Sequence, residues 1–224
     1  MANWVRLSSV LMALVAIGCR TKAVADLQAD ATSATQSEWE KRDSWQRPAE
    51  VLDALGIRRG SAVADVGAGD GYFSFHLASR VGAQGKVYAE DISESKIEKI
   101  RERAKKEGLL QIETILGTED DPKLSKETLD AILIVLAYHE MRNYDSMLSG
   151  MIRALKPGGL LAVIDDEGEP NQTRSIAAEN HKIPKELVRT DAARNNIRFV
   201  REEKGFEENP NSHLFFLIFE KPKR

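Results

Sequence analysis

The 224-residue sequence has a single cysteine, Cys19, and no run of basic residues. One cysteine excludes an intramolecular disulfide. The formal net charge is −3, whereas proteins that grip nucleic acid through its phosphates normally show a basic face. Internal repeats and low-complexity tracts are also missing. We therefore expect one ordinary globular domain with no nucleic-acid partner, and the sequence predicts no metal site.

Long hydrophobic runs are missing as well. The apolar run at residues 7–17 is too short for a comfortable transmembrane helix and has the length of a signal-peptide core. Because it ends just before Cys19, it resembles a bacterial lipoprotein signal. We predict a signal peptide at 1–18, lipidation of Cys19, a flexible tether at 19–37 and a domain at 38–224. The protein would then be exported and lipid-anchored on the periplasmic side of a bacterial membrane; an uncleaved helix on a cytoplasmic protein is the alternative.

A glycine-rich segment follows a short apolar stretch at residues 62–66. It places glycine at Gly67, Gly69 and Gly71, and glycine lets a ligand approach the backbone closely. No Gly-Lys-Ser/Thr follows, which excludes a Walker loop, and Tyr72 stands where the dinucleotide fingerprint needs its third glycine. The helical spacing that follows predicts a strand, a glycine loop and a helix.

An acid followed by Gly-x-Gly-x-Gly resembles motif I of the class I S-adenosylmethionine-dependent methyltransferases. The resemblance implies S-adenosyl-L-methionine as cofactor and implies that the motif contacts it. The residues concerned are Asp65, Gly67, Ala68, Gly69 and Gly71. For the glycines alone, a tight structural turn is the alternative interpretation.

The end of the second predicted strand is expected to bind the ribose. Asp91 stands twenty residues after Gly71. In a nucleoside-binding unit, an acid at about this distance accepts hydrogen bonds from the ribose hydroxyls. The resemblance favours Asp91 over Glu90 and adds Ile92 to the cofactor site. An acid that only caps the next helix is the alternative.

The loop after the third predicted strand, residues 117–122, resembles the methyltransferase segment that meets the adenine. Thr118 and Glu119 are the predicted contacts, because a carboxylate can accept a hydrogen bond from the exocyclic amine. Four polar residues before a proline are also typical of a simple turn.

A continuous apolar run at residues 129–137 predicts a strand buried on both faces. Tyr138, His139 and Glu140 follow directly at the carboxyl end of this strand, and open parallel sheets bind their ligands at that end. We predict these three as catalytic, with His139 as a general base and Glu140 orienting it or binding the cofactor's amino group. A histidine that only shapes the cleft is the alternative, and His181 is a weaker candidate.

Strands and helices alternate over most of the predicted domain, which indicates a parallel sheet with helices on both faces. A helix at 144–155, the segment Leu-Lys-Pro-Gly-Gly and a strand at 160–164 are a further methyltransferase landmark. The resemblance implies a Rossmann-like α/β fold, doubly wound, with a mostly parallel seven-stranded sheet whose last strand is antiparallel. We expect residues 165–183 to form a polar loop.

The sequence thus predicts a methyltransferase acting on a small hydroxylated, quinone-like or lipid acceptor. The Asn/Asp-Pro-Pro-Tyr segment of many enzymes that methylate nucleic-acid amines is replaced by Ala-Tyr-His-Glu. Two other classes stay open. A non-catalytic cofactor-binding or sensing module is favoured by export away from the cytoplasmic cofactor, and a nicotinamide-dependent oxidoreductase is disfavoured by Tyr72. The oligomeric state is not predicted.

Overall fold

The structure is a computed structural model that describes residues 38–206 and 213–223. The chain from Trp45 onward clusters as one compact unit, and residues 38–44 belong to a separate unit. The predicted signal peptide, the lipidated Cys19 and the tether lie outside the described residues. Within the described part, no helix is long and apolar enough to cross a membrane.

The centre of the compact unit is a seven-stranded sheet. Its strands are β1 (Ala62–Val66), β2 (Lys86–Asp91), β3 (Ile112–Leu116), β4 (Leu129–Val135), β5 (Leu155–Asp166), β6 (Arg198–Glu203) and β7 (Leu214–Glu220). They lie in the order β3-β2-β1-β4-β5-β7-β6. Strand β7 runs antiparallel to both neighbours, and all other neighbouring pairs are parallel. This arrangement confirms the predicted fold class.

Helices connect most of these strands. They are α1 (Pro48–Ala54), α2 (Tyr72–Val81), α3 (Glu94–Glu107), α4 (Tyr144–Ala154), α5 (Arg174–Asn180) and α6 (Lys185–Arg194). A short 3₁₀ turn at Tyr138–Glu140 follows β4, and residues 38–46 are also helical.

The core forms where the apolar runs of the sequence meet. Strand β4 is buried along nearly its whole length. The side chains of Met147, Leu148 and Met151 in α4 pack in one hydrophobic cluster with residues of this strand. Because β1, β2, β4 and β5 are parallel, their carboxyl ends reach one edge of the sheet. That edge therefore collects the glycine loop, Asp91 and the 3₁₀ turn.

Two elements differ from the sequence-based prediction. Strand β5 begins at Leu155 rather than at residue 160, because Leu155 already pairs with Leu129 and the register then shifts at a bulge. Helix α5 lies inside the segment expected to be a polar loop. Ala177 is its one buried residue, so the helix has no apolar stripe that periodicity could detect.

Candidate functional site

The glycine loop leaves β1 at the carboxyl edge, and each of its glycines has a positive φ. A Cβ on Gly67 would lie 2.5 Å from the Cβ of Ala137, so the loop packs tightly against the segment after β4. A Cβ on Gly69 would meet no atom within 4 Å. Gly71 begins α2 as its N-cap residue, with φ +83°. The backbone at Gly69 is therefore the part of the loop that faces open space.

Asp65, at the end of β1, lies beneath this loop. It is 3% exposed, and its Oδ2 accepts a hydrogen bond of 2.6 Å from the Ser74 hydroxyl in α2. Burial raises the pKa of Asp65 to about 6, against the opposing effect of the Ser74 bond. Asp65 thus joins β1 to α2 beneath the loop, and its contact with a cofactor stays a prediction.

Asp91 ties the glycine loop to the end of β2. Its Oδ2 accepts from the Gly69 amide at 2.9 Å, and its Oδ1 accepts from the Ser93 amide at the same distance. A carboxylate has about four acceptor positions, so Asp91 keeps capacity for ribose hydroxyls. The Ala68 amide donates to the backbone oxygen of Glu90 at 2.8 Å, which fixes the same loop from the other side.

Asp91→Ala should weaken S-adenosylmethionine binding about tenfold or more, because it removes both a ligand for the ribose and the partner of the Gly69 amide. The fold should persist, since the sheet does not depend on this side chain. Calorimetry gives the affinity, and circular dichroism checks the fold. Wild-type affinity in a folded Asp91→Ala variant would contradict the assignment.

Glu90 is a buried acid that sequence reasoning did not assign to the site. Its Oε2 accepts weakly from the Gly67 amide at 3.4 Å, and its Oε1 has no hydrogen-bond partner among the described residues. A Cβ on Gly117 would lie 1.8 Å from that Oε1, so the carboxyl fills the space beside the loop after β3. Burial raises the pKa of Glu90 to about 8, with Asp91, Asp65 and Asp121 adding to the rise.

Glu90→Gln should remove a pH dependence of stability. A raised folded pKa means that the folded protein keeps its proton while the unfolded chain loses it, so wild-type stability falls as pH rises from about 4.5 to about 8. The loss is about 5 kcal/mol, or about 10–20 °C in Tm.

The measurement is thermal unfolding of both proteins at about pH 5 and about pH 9. Asp65, which titrates lower in the same window, is common to both proteins, so the difference between them isolates Glu90. Parallel pH profiles for wild type and Glu90→Gln would show that Glu90 is ionised in the folded state.

Exposed apolar side chains lie at the ends of β2 and β3. Ile92 is 57% exposed and Leu116 is 41% exposed, and Leu116 pairs with Asp91 across the two strands. Thr118 closes the following turn, where its hydroxyl donates to Asp120 at 2.8 Å. Glu119 is exposed. The apolar side chains offer a surface for an adenine ring, and the adenine contacts of Thr118 and Glu119 stay a prediction.

His139 is held by a carboxylate that the sequence analysis did not select. Its Nδ1 lies 2.8 Å from Oδ1 of Asp165, at the end of β5, and its amide donates to Oδ2 of the same residue. Asp165 is fully buried. Burial lowers the pKa of His139, but the hydrogen bond and charge of Asp165 outweigh it, and the net shift is upward. The pair leaves Nε2 as the nitrogen that faces other groups.

Tyr138 and Glu140, the other two predicted catalytic residues, differ from each other in burial. Tyr138 is fully buried, and its hydroxyl donates to Asp191 of α6 at 2.9 Å. Burial raises the pKa of Tyr138 above its ordinary range. Its bond to Asp191 anchors the 3₁₀ turn to α6, and its catalytic role stays a prediction. Glu140 is exposed, with Oε1 3.8 Å from Nε2 of His139. The hydrogen bond that orients the imidazole in the structure is made with Asp165, and the catalytic role of Glu140 stays a prediction.

The family model described as "Methyltransferase domain" matches residues 57–205. This match covers more than half of the chain and includes the glycine loop, both strand-end acids and His139. The chain belongs to the methyltransferase-domain family.

Individual relatives agree with this assignment. The methyltransferase is 30% identical over 164 residues to the ubiquinone/menaquinone biosynthesis C-methyltransferase UbiE of Escherichia coli O1:K1, covering 70% of this chain and 64% of that protein. It therefore spans somewhat less than two thirds of that relative's length. Its structure matches a SAM-dependent methyltransferase from Aquifex aeolicus with 27% identity and a TM-score of 0.67, over 82% of this chain and 97% of the other.

A third match shows the fold with the cofactor present. Phosphoethanolamine N-methyltransferase 2 of Haemonchus contortus, in complex with S-adenosyl-L-methionine, has a TM-score of 0.66 at 16% identity, over 80% of this chain and 53% of that one. At this identity the third match shows the fold alone. The family match and the Aquifex aeolicus structure confirm the predicted enzyme class, a SAM-dependent methyltransferase, and its cofactor, S-adenosylmethionine.

The residues at the carboxyl edge fit that cofactor. Gly69 presents backbone to open space, Asp91 keeps acceptor capacity for the ribose, and Ile92 offers an apolar surface for the adenine. The carboxyl of Glu90 adds a buried polar atom without a partner in the described structure. The individual cofactor contacts remain predictions.

Proposed function

We propose that this methyltransferase transfers a methyl group to a small aromatic acceptor with an ionisable hydroxyl, and that His139 removes the hydroxyl proton. One observation carries the proposal: the imidazole held by Asp165 stands two residues after Ala137, the residue against which the glycine loop packs. The group suited to proton removal thus lies two residues along the chain from the residue that packs against the loop proposed to bind the methyl donor.

The chemistry divides between the cofactor and the chain. When bound, S-adenosylmethionine supplies a methyl group on a positively charged sulfur, which is already electrophilic. The loop at Gly69 and the carboxylate of Asp91 would hold the cofactor in place, and positioning of this kind is worth roughly 7–11 kcal/mol in favourable cases. The remaining requirement is a sufficiently electron-rich acceptor.

His139 meets that requirement for a hydroxylated ring. The bond from Nδ1 to Asp165 places the lone pair on Nε2, so this atom can accept a proton. Loss of the O–H proton puts negative charge on the oxygen and on the ring carbons ortho and para to it, and each of these atoms becomes a better nucleophile. The name of the Escherichia coli relative, a quinone-pathway C-methyltransferase, supports carbon as the methylated atom.

The test is a transfer assay with methyl-labelled S-adenosylmethionine and the full chain, freed of metal by a chelator. Acceptors are simple hydroquinones and catechols, each paired with its dimethoxy analogue, which has no proton to lose. We expect labelled product from the hydroxylated ring and none from its methoxy partner. Equal labelling of both members, or labelling of an RNA oligonucleotide alone, would overturn the proposal.

A further inference from the structure

Three side chains of metal-binding type meet at the carboxyl edge, and the candidate base His139 is one of them. Nε2 of His139 lies 3.2 Å from Nδ1 of His181, and Oε1 of Glu140 lies 3.8 Å and 3.7 Å from these two nitrogens. Within residues 38–206 and 213–223, this is the one group of three such side chains close enough to share an ion.

These separations match a tetrahedral metal site. Nitrogen and oxygen ligands about 2.0–2.1 Å from a zinc ion lie about 3.3 Å from one another in a tetrahedron. The three distances in the cluster differ from that value by a few tenths of an ångström, so side-chain torsions can bring all three atoms onto one ion. Two of the side chains, His181 and Glu140, are exposed and free to make such an adjustment.

Asp165 gives the cluster the outer support that metal-binding histidines usually have. It accepts from Nδ1 of His139 at 2.8 Å, which leaves the Nε2 lone pair directed at His181 and Glu140. A carboxylate behind a ligating imidazole fixes its tautomer and raises its basicity. Because Asp165 is itself buried and also accepts the His139 and Asp166 amides, it holds this orientation firmly.

His181 is brought to the cluster by the backbone around it. It ends α5 in the left-handed conformation, with φ +54°. On its carboxyl side, the Ile183 amide donates to the Asp166 oxygen at 2.9 Å, and the Gly168 amide donates to the Ile183 oxygen at 3.1 Å. The segment is thereby fastened to the end of β5, next to Asp165.

We propose that His139 Nε2, His181 Nδ1 and the Glu140 carboxylate bind one divalent ion of the zinc class, with a fourth position left for water or an acceptor oxygen. Two imidazoles and one carboxylate suit such ions better than Mg²⁺ or Ca²⁺, which prefer all-oxygen sites. The site does not depend on the proposed function. An ion and a proton compete for the same lone pair of Nε2, so the metal-free chain is the form in which His139 acts as a base.

The test is direct metal binding by the full chain after chelator treatment, in a Cys19→Ser background that removes the one thiol. Zn²⁺ is titrated by calorimetry and Co²⁺ by visible absorption, which reports tetrahedral coordination. We expect one ion per chain with a Kd of about 1 µM or tighter, and a loss of affinity of about 100-fold in His181→Ala.

Two further variants make the result specific. Glu140→Ala should also weaken binding, and both exposed residues can be changed without disturbing the core. His213→Ala is the matched control, since it removes a histidine outside the cluster and should leave the affinity unchanged. A chain that binds neither ion, or a His181→Ala variant that binds as wild type does, would overturn the proposal. The readout is binding alone, so its failure is distinct from any failure of methyl transfer.

Discussion

Gly69→Val should lower the affinity for S-adenosylmethionine by about 100-fold or more, which corresponds to about 2.7 kcal/mol. At Gly69 a side chain would enter space that no protein atom occupies within 4 Å. If that space belongs to the cofactor, a branched side chain there displaces it. Calorimetric titration of wild type and variant gives the ratio of affinities.

Gly108→Val is the matched control for this experiment. Gly108 has φ +68°, close to the +60° of Gly69, and its Cβ would also meet nothing within 4 Å. It ends α3 and lies in the connection to the start of β3, away from the carboxyl edge. Both variants carry the same backbone strain of about 1–2 kcal/mol, but only Gly69→Val should lose the cofactor. Equal affinities in the two folded variants would contradict the assignment of the loop.

His139→Ala should lower kcat for a hydroxylated acceptor about 1,000-fold, within the range that a general base supplies. The affinity for S-adenosylmethionine should change by less than about threefold, because the loop and Asp91 are intact. Single-turnover assays of the metal-free protein measure the chemical step, and calorimetry measures cofactor binding. A variant that methylates the acceptor at the wild-type rate would reduce His139 to a residue that only shapes the cleft.

Two carboxylate variants show which acid orients the imidazole. Asp165→Asn should cost about 100-fold in kcat, because the amide no longer holds His139 in the tautomer with a free Nε2. Glu140→Gln should cost only a few-fold, because Glu140 is exposed and 3.8 Å from the ring. The opposite order of effects would restore the sequence-based choice of Glu140 as the orienting group.

The elements with strong periodicity were predicted to within a few residues. The helix expected at 144–155 is Tyr144–Ala154, and the buried strand expected at 129–137 is Leu129–Val135. The start of β5 was missed because its first pairing partner, Leu129, precedes a bulge that no local pattern reveals. Helix α5 was missed because Ala177 is its one buried residue, so its sequence has no apolar stripe that periodicity could detect.

The site was predicted where one rule applied: acids and histidines at the carboxyl ends of parallel strands meet at one edge. That rule selected Asp91 and His139. It did not select Asp165, because the three consecutive acids Asp165, Asp166 and Glu167 are typical of a solvent-exposed loop. The structure buries Asp165 because three hydrogen bonds satisfy it, two of them from His139, whose contact with it is long-range.

Glu90 was weighed against Asp91 for a single role, and the structure shows why the two differ. Successive side chains of a strand point to opposite sides, so Asp91 reaches Gly69 and Ser93 while Glu90 is buried between the loops after β1 and β3. The unpartnered oxygen and raised pKa of Glu90 arise from that burial. Neither property can be read from the sequence of the strand.

Titration of the full chain with S-adenosylmethionine, its demethylated product and NADH shows whether the carboxyl edge binds the methyl donor. We expect one molecule of each of the first two to bind per chain, with a Kd of about 10 µM, and we expect NADH not to bind. Absence of binding by all three, or preferential binding of NADH, would contradict it.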